Sequence, residues 1–479
     1  VLVLLTVIGF NSFQKQVLKE RVETRRRELI AQGEKLTLAE LAPKRSSADD
    51  AMNAGAELLN AYMQLSDSGS YIEVPYTNGM PRQVLWRGDL TVNCFNRTNN
   101  QTVTASLWTW MEAHLPKDQE HLDRIIQVTG RPDYSFDLAY EKGLNMNDPS
   151  VFHLINSAQW LQQAMFYQLH RDDSAEAIRL LRAQIRLLRL SPDGDTFILH
   201  VGRHAVSAIA NQSTWQALQY PGWNDMQLGD IQANWEALDF LPALEHALAE
   251  HRARNLELIA ALRRDFAPYG KECFTFRNPP AGNNLFISIL SDPHAWLGYY
   301  TDRYLQYSGW KGRQSFVDEL YVMNTIQVTL DNVRSLRSGR QGYAATMQDL
   351  QSALPKTSLH EHPYTNLFTR IARPASTILS EMLSSETRRQ MTIAAIAIKR
   401  YQLAHGRLPD SLAELVPAFL SKPILDPMDG KPLRYHPNLD GTFLLYSVGF
   451  DGQDNGGTNV SWDSLEEGTD LVWPIPARP

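Results

Sequence analysis

Residues 384–417, SSETRRQMTIAAIAIKRYQLAHGRLPDSLAELVP, say more than any other stretch about how this chain folds. Met391, Ile393, Ala394, Ala395, Ile396 and Ile398 form an apolar helix that closes through the Gly and Pro residues around Arg407. The chain then turns extended through DPMDGKPLRYHP (426–437) and GTFLLYSVGFDGQDNGG (441–457), and ends in an acidic tail closing with TDLVWP (469–474). The pattern predicts a helix packed on a small antiparallel sheet, followed by an acidic loop suited to a hard cation.

Working outward, 479 residues provide for two or three domains, each with its own core. An apolar share of 43% and a charged share of 21% are those of an ordinary globular protein. The net charge of -7 argues against nucleic acid as the main partner. Cys94 and Cys273 fit either a disulfide in an oxidising compartment or two buried thiols, and no Cys/His spacing suggests structural zinc.

Toward the start, VLVLLTVIGF (1–10) is uncharged and nearly all apolar. Ten residues do not span a bilayer, which needs about 20. The end of a signal peptide, the second half of a transmembrane helix and a buried helix all fit. The polar helix that follows, Phe13 to Ala31, favours a membrane anchor with a stalk. Residues 11–35 carry seven Lys/Arg against four Asp/Glu, and such a flank ordinarily stays cytoplasmic. An exported body is nevertheless expected, on the C-terminal resemblance given below.

Thr37-Leu-Ala-Glu40 has capping-box spacing, and Asp49 to Leu65 repeats apolar residues at helical intervals. Residues 71–103 favour a small hairpin or irregular β insert. From Ser106 to Leu336 the pattern is mostly helical, with later helices over Thr196–Ala210, Leu228–Ala237, Leu241–Arg264 and Gln314–Arg337. Its clearest part is a pair, Val151 to His170 and Ser174 to Leu190, joined by Arg171-Asp172-Asp173. No 34-residue recurrence accompanies it, so an irregular helical domain is expected rather than a repeat array.

Three constellations bear on chemistry. His200 and His204 stand four apart on a predicted helix, where with an acid such as Glu250 they would suit zinc and a metal-dependent hydrolase; two unrelated histidines on a polar or packed face are the plainer reading. Trp296, Tyr300, Tyr304 and Tyr307 recur at helical spacing, as a stripe that stacks on sugars or sits at a membrane interface, or simply a core face. From Asp451 to Asp470 the chain has six carboxylates and no Lys or Arg. Like charges raise one another's pKa, so such a group is costly without a counter-ion. Gly449, Gly452, Gly456 and Gly457 permit the tight turns that would aim oxygens inward, which suits calcium better than magnesium or zinc. Trp462 occupies the twelfth position from Asp451, so the loop is no EF-hand.

YQLAHGRLPDSLAEL (401–415), DPMDGKPLRY (426–435), FLLYSVGFDGQ (443–453) and TDLVW (469–473) together resemble the soluble part of the major pseudopilin of type II secretion systems. The resemblance implies a calcium site with ligands from the carbonyls of Val448 and Gln453 and the carboxylates of Asp451 and Asp470; Asp454 is a further candidate from local chemistry. Leu5 stands where a pseudopilin start has Glu, and the long helical insertion is foreign to pilins, so the chain reads as carrying the module without being a pilus subunit. The apolar start, a stalk ending in GEKLTLAEL (33–41), the DDAMNAGAELLNAY helix (49–62), the helical middle and the C-terminal module together resemble large membrane-anchored proteins of planctomycete- and verrucomicrobium-like bacteria, which have no assigned activity.

The expected fold is mainly α. Residues 1–35 are read as anchor and stalk, 36–105 as mixed helix and β insert, 106–383 as an irregular α-helical domain, and 384–479 as a pseudopilin-like α+β module with a calcium loop. No GxSxG, HExxH, P-loop or GxGxxG sequence is present. The expected function is accordingly a non-enzymatic scaffold or interaction protein. It would sit in a bacterial inner membrane by one pass, with its body in the periplasm and a protein partner in the envelope. A metal-dependent hydrolase and a glycan-binding protein are the alternatives.

Overall fold

The turn Arg171-Asp172-Asp173 sets the pattern of the helical body. Asp172 takes a φ of 60°, a left-handed conformation that Asp tolerates better than most residues, and Asp173 accepts the Glu176 amide at 3.0 Å. That cap starts α6 (Ser174–Arg186), which folds back along α5 (Val151–His170). The computed structural model describes residues 2–42, 49–67, 70–73, 84–88, 91–96, 101–131, 136, 138–146, 151–189, 196–265, 294, 307–338, 342–353, 367–457, 460–461 and 468–474.

The same logic extends the body. α7 (Phe197–Leu218) starts where Thr196 accepts the Leu199 amide, and packs on α5. α8 (Asp225–Glu236) starts in a capping box between Asn224 and Gln227. α9 (Leu241–Arg264) has the bounds that its pattern predicts, and lies against α7 and α10 (Ser315–Arg337). α11 (Tyr343–Ala353) follows. The chain is mainly helical, as expected.

α1 (Leu2–Ala31) is one helix, and no helix among the described residues is long and apolar enough to cross a membrane. From Val22 onward α1 is part of the body. Val22 and Leu29 are buried against it, Arg25 Nε donates to Asn324 at 2.8 Å, and Arg26 pairs with Glu319. Part of the basic run at 25–27 therefore serves packing on α10. Just beyond the helix, Glu34 is buried among Arg252 at 2.7 Å, Gln327 at 2.9 Å and Arg334 at 2.5 Å.

Residues 36–105 contain the capped turn α2 (Leu38–Leu41), with the Thr37–Glu40 box formed, and α3 (Asp49–Asp67). They also hold an antiparallel sheet of β1 (Ser70–Glu73), β2 (Thr91–Asn96) and β3 (Gln101–Ser106). α4 (Leu107–Thr129) continues from β3 and packs on α3. Cys94 falls in β2, while Cys273 lies outside the described residues.

α12 (Leu367–His405) is longer than expected and runs through position 384. Its segment from Met391 to Ile398 is buried on every side, by α7 and α8 of the body and β5 (Phe443–Ser447) of the module. Each large apolar side chain so enclosed contributes about 1.5–3 kcal/mol. Gly406, at φ 70°, donates its amide to Gln402 and stops the helix. Beyond it a small sheet forms from β4 (Arg434–Pro437), β5 (Phe443–Ser447) and β7 (Asp470–Val472), antiparallel in that order, with β6 (Val460–Ser461) parallel to β7. One contiguous core takes in Leu29, Leu161, Trp235, Ile396, Leu445 and Trp473. Trp215 Nε1 on α7 donates to the Pro474 carbonyl at 3.0 Å, tying the end of β7 to the body.

Candidate functional site

The acidic loop leaves β5 through Val448 and Gly449. Gly449 has a φ of +69°, and a Cβ there would stand 2.3 Å from the Thr469 carbonyl oxygen, so only glycine lets the two limbs of the loop approach. Across that approach the carboxylates lace the limbs together. Asp451 accepts the Gln453 amide at 3.0 Å and the Gly468 amide at 2.9 Å. Asp470, wholly buried on β7, accepts the Gly457 amide at 2.7 Å and the Asn455 amide at 3.4 Å. Burial raises the Asp470 pKa above the usual carboxylate range, with smaller contributions from the charges of Asp454 and Asp451.

The five expected ligands therefore occupy one loop, but in different states. Asp451 and Asp470 come close enough to repel. Each accepts two amides and keeps lone pairs for more. Val448 is buried, its amide held by Asp426 at 3.0 Å, and the Gln453 carbonyl accepts the Asn455 side chain at 3.4 Å. Asp454 is turned outward to Tyr446 Oη at 2.9 Å and Arg434 at 3.5 Å, which makes it the least suited of the five. All the offered donors are oxygens, the atom type that a hard divalent ion takes, and Asp470 is paired with no cation among the described residues. No group of three or more His, Cys, Asp or Glu side chains among the described residues is placed to hold a metal. Asp463, Glu466 and Glu467 lie outside the described residues.

Beneath the loop is a clamp that sequence reasoning missed. Asp426, wholly buried, accepts the Met428 amide at 3.0 Å, Ser447 Oγ at 2.7 Å and the Val448 amide at 3.0 Å, and pairs with Arg434 at 3.1 Å. Arg434 also reaches Asp429 at 2.6 Å. The turn-forming Asp-Pro-Met-Asp-Gly run was a local signal for the Met428 contact. Nothing local pointed to Ser447 and Val448.

The histidine constellation is built into the interior. His200 is wholly buried, and His204 Nδ1 lies 2.7 Å from Ser385 Oγ of α12. Burial, then the charges of Arg388 and His200, bring the His204 pKa down to about 4. Glu250 caps α7 by accepting the Phe197 amide at 3.1 Å and pairs with Arg254 at 2.5 Å. These groups join helices. Of the aromatic stripe, Trp296, Tyr300 and Tyr304 lie outside the described residues, and Tyr307 donates to the Leu262 carbonyl at 2.8 Å.

Comparison with protein-family models, curated proteins and solved structures finds no match.

Proposed function

We propose that this chain is a non-catalytic scaffold of the bacterial envelope, whose C-terminal pseudopilin-like module is locked onto a helical body by calcium. The observation that carries the reading is Asp470: a wholly buried carboxylate with no cation partner among the described residues, within reach of the charges of Asp451 and Asp454, on the strand that is tied to α7. An ion bound by the Asp451 and Asp470 carboxylates and the Val448 and Gln453 carbonyls would neutralise that charge. It would stiffen the connection between module and body. The apolar start of α1 would hold the protein in the inner membrane by one pass, with the body in the periplasm and its helical surface offered to a protein partner.

The test is thermal melting of the purified chain in millimolar calcium and in chelator. A site with calcium at 100 times its Kd contributes about 2.7 kcal/mol, which the chelator removes. Asp470→Asn should melt alike in both conditions. Equal melting of the unaltered chain in calcium and chelator sinks the calcium site. Protease accessibility in intact and lysed spheroplasts tests the location, and protection of the body that persists after outer-membrane removal would refute a periplasmic placement.

A further inference from the structure

Where module meets body there is a cleft of about 590 Å³, within the usual range for small-molecule sites. Its walls are mainly apolar and come from distant parts of the chain: Leu218 at the end of α7, Ala395 and Ile398 on α12, Phe443 on β5, and Trp473 after β7. Lys399, half-buried on α12, lines the cleft, and its ammonium has neither a hydrogen bond nor an ion pair among the described residues. Burial pulls its pKa below the ordinary lysine range, the expected response of a cation held from water without a partner. Gln402, one turn further along α12, lines the same wall.

The other charges around the cleft are accounted for. Arg87 donates to the Gln219 carbonyl at 3.0 Å and lies over the Trp86 ring, leaving further N–H groups at the rim. The Asp440 carboxylate accepts both the amide and the hydroxyl of Thr442, at 3.1 Å and 2.6 Å, within its own turn. A cation in an apolar-walled cleft, backed by a second at the rim, complements an anion carried on an apolar body.

We infer that this cleft binds a small amphipathic carboxylate of the fatty-acid class, its headgroup on Lys399 and its chain against Ile398, Leu218, Phe443 and Trp473. The ligand would bridge body and module. The inference stands apart from the calcium site, which lies on other residues.

The probe is decanoate, titrated calorimetrically below its micellar concentration into the full chain, with 1-decanol and decylammonium as matched controls. Decanoate should bind one to one, and the two controls at least about tenfold more weakly, the worth of one charge-assisted contact. Lys399→Met keeps the aliphatic stem and should weaken decanoate about tenfold without changing decanol. Gln402→Glu offers Lys399 an internal partner three residues away and should weaken decanoate similarly, even where Lys399→Met disturbs the fold. Lys399→Arg should retain binding. Decanol binding as tightly as decanoate, or decanoate binding unaffected by Gln402→Glu in a chain that melts normally, overturns the assignment. So does the absence of decanoate binding to the unaltered chain.

Discussion

Glu34→Gln removes the anion that Arg252, wholly buried, meets at 2.7 Å, while Arg334 loses its shorter partner. Burial raises the Glu34 pKa, but hydrogen bonds from Arg334, Arg252 and Gln327 outweigh it and hold the carboxyl at about 2. Against an ordinary 4.5 that difference corresponds to about 3 kcal/mol. Breaking a buried pair from one side independently suggests about 3–5 kcal/mol. Arg252 is itself pulled below its usual pKa by burial, a cost the pair must absorb, so about 3 kcal/mol is the expected loss. The sign with pH follows from the depressed carboxyl: the contribution is complete above the unfolded pKa near 4.5 and fades as pH falls toward 2. Urea unfolding of both chains followed by circular dichroism should therefore show the gap at pH 7 and pH 5, narrowing to about 2 kcal/mol near pH 3.5. A gap below about 1 kcal/mol at pH 7, or one that does not narrow in acid, would refute a charged Glu34 clamp.

Two further outcomes follow from the same geometry. Gly449→Ala should cost at least about 2 kcal/mol in urea unfolding, because the new Cβ strikes the Thr469 carbonyl, whereas Gly456→Ala, also at positive φ but with nothing within 4 Å, should cost only about 1 kcal/mol. His204 should remain neutral down to about pH 5 by NMR titration, with its midpoint near 4. Because the unfolded chain protonates this imidazole near 6.5, His204 should withdraw stability as pH falls from 6.5 to about 4; a midpoint above 6 would show that the side chain is not enclosed between α7 and α12.

Spacing and capping chemistry within a few residues determined much of this protein. The Thr37–Glu40 box, the α5–α6 hairpin, the bounds of α9 and the strands flanking residues 438–442 were all legible, because each depends on neighbours along the chain. The glycines and carboxylates between Gly449 and Asp470 are likewise visible in the sequence, because they lie close together along the chain.

What covers a buried face was not legible. Periodicity reports that a face is apolar, not which element covers it. Only the tertiary structure merged the predicted helix at 384 into the longer α12 and set it in the core of both body and module. It also spent Glu250 on capping α7 and brought Glu34 to Arg252 and Arg334, 218 and 300 residues away. The cleft around Lys399 belongs to this second kind. Its walls come from α7, α12, β5 and the segment after β7, and it exists only because those pieces share one core.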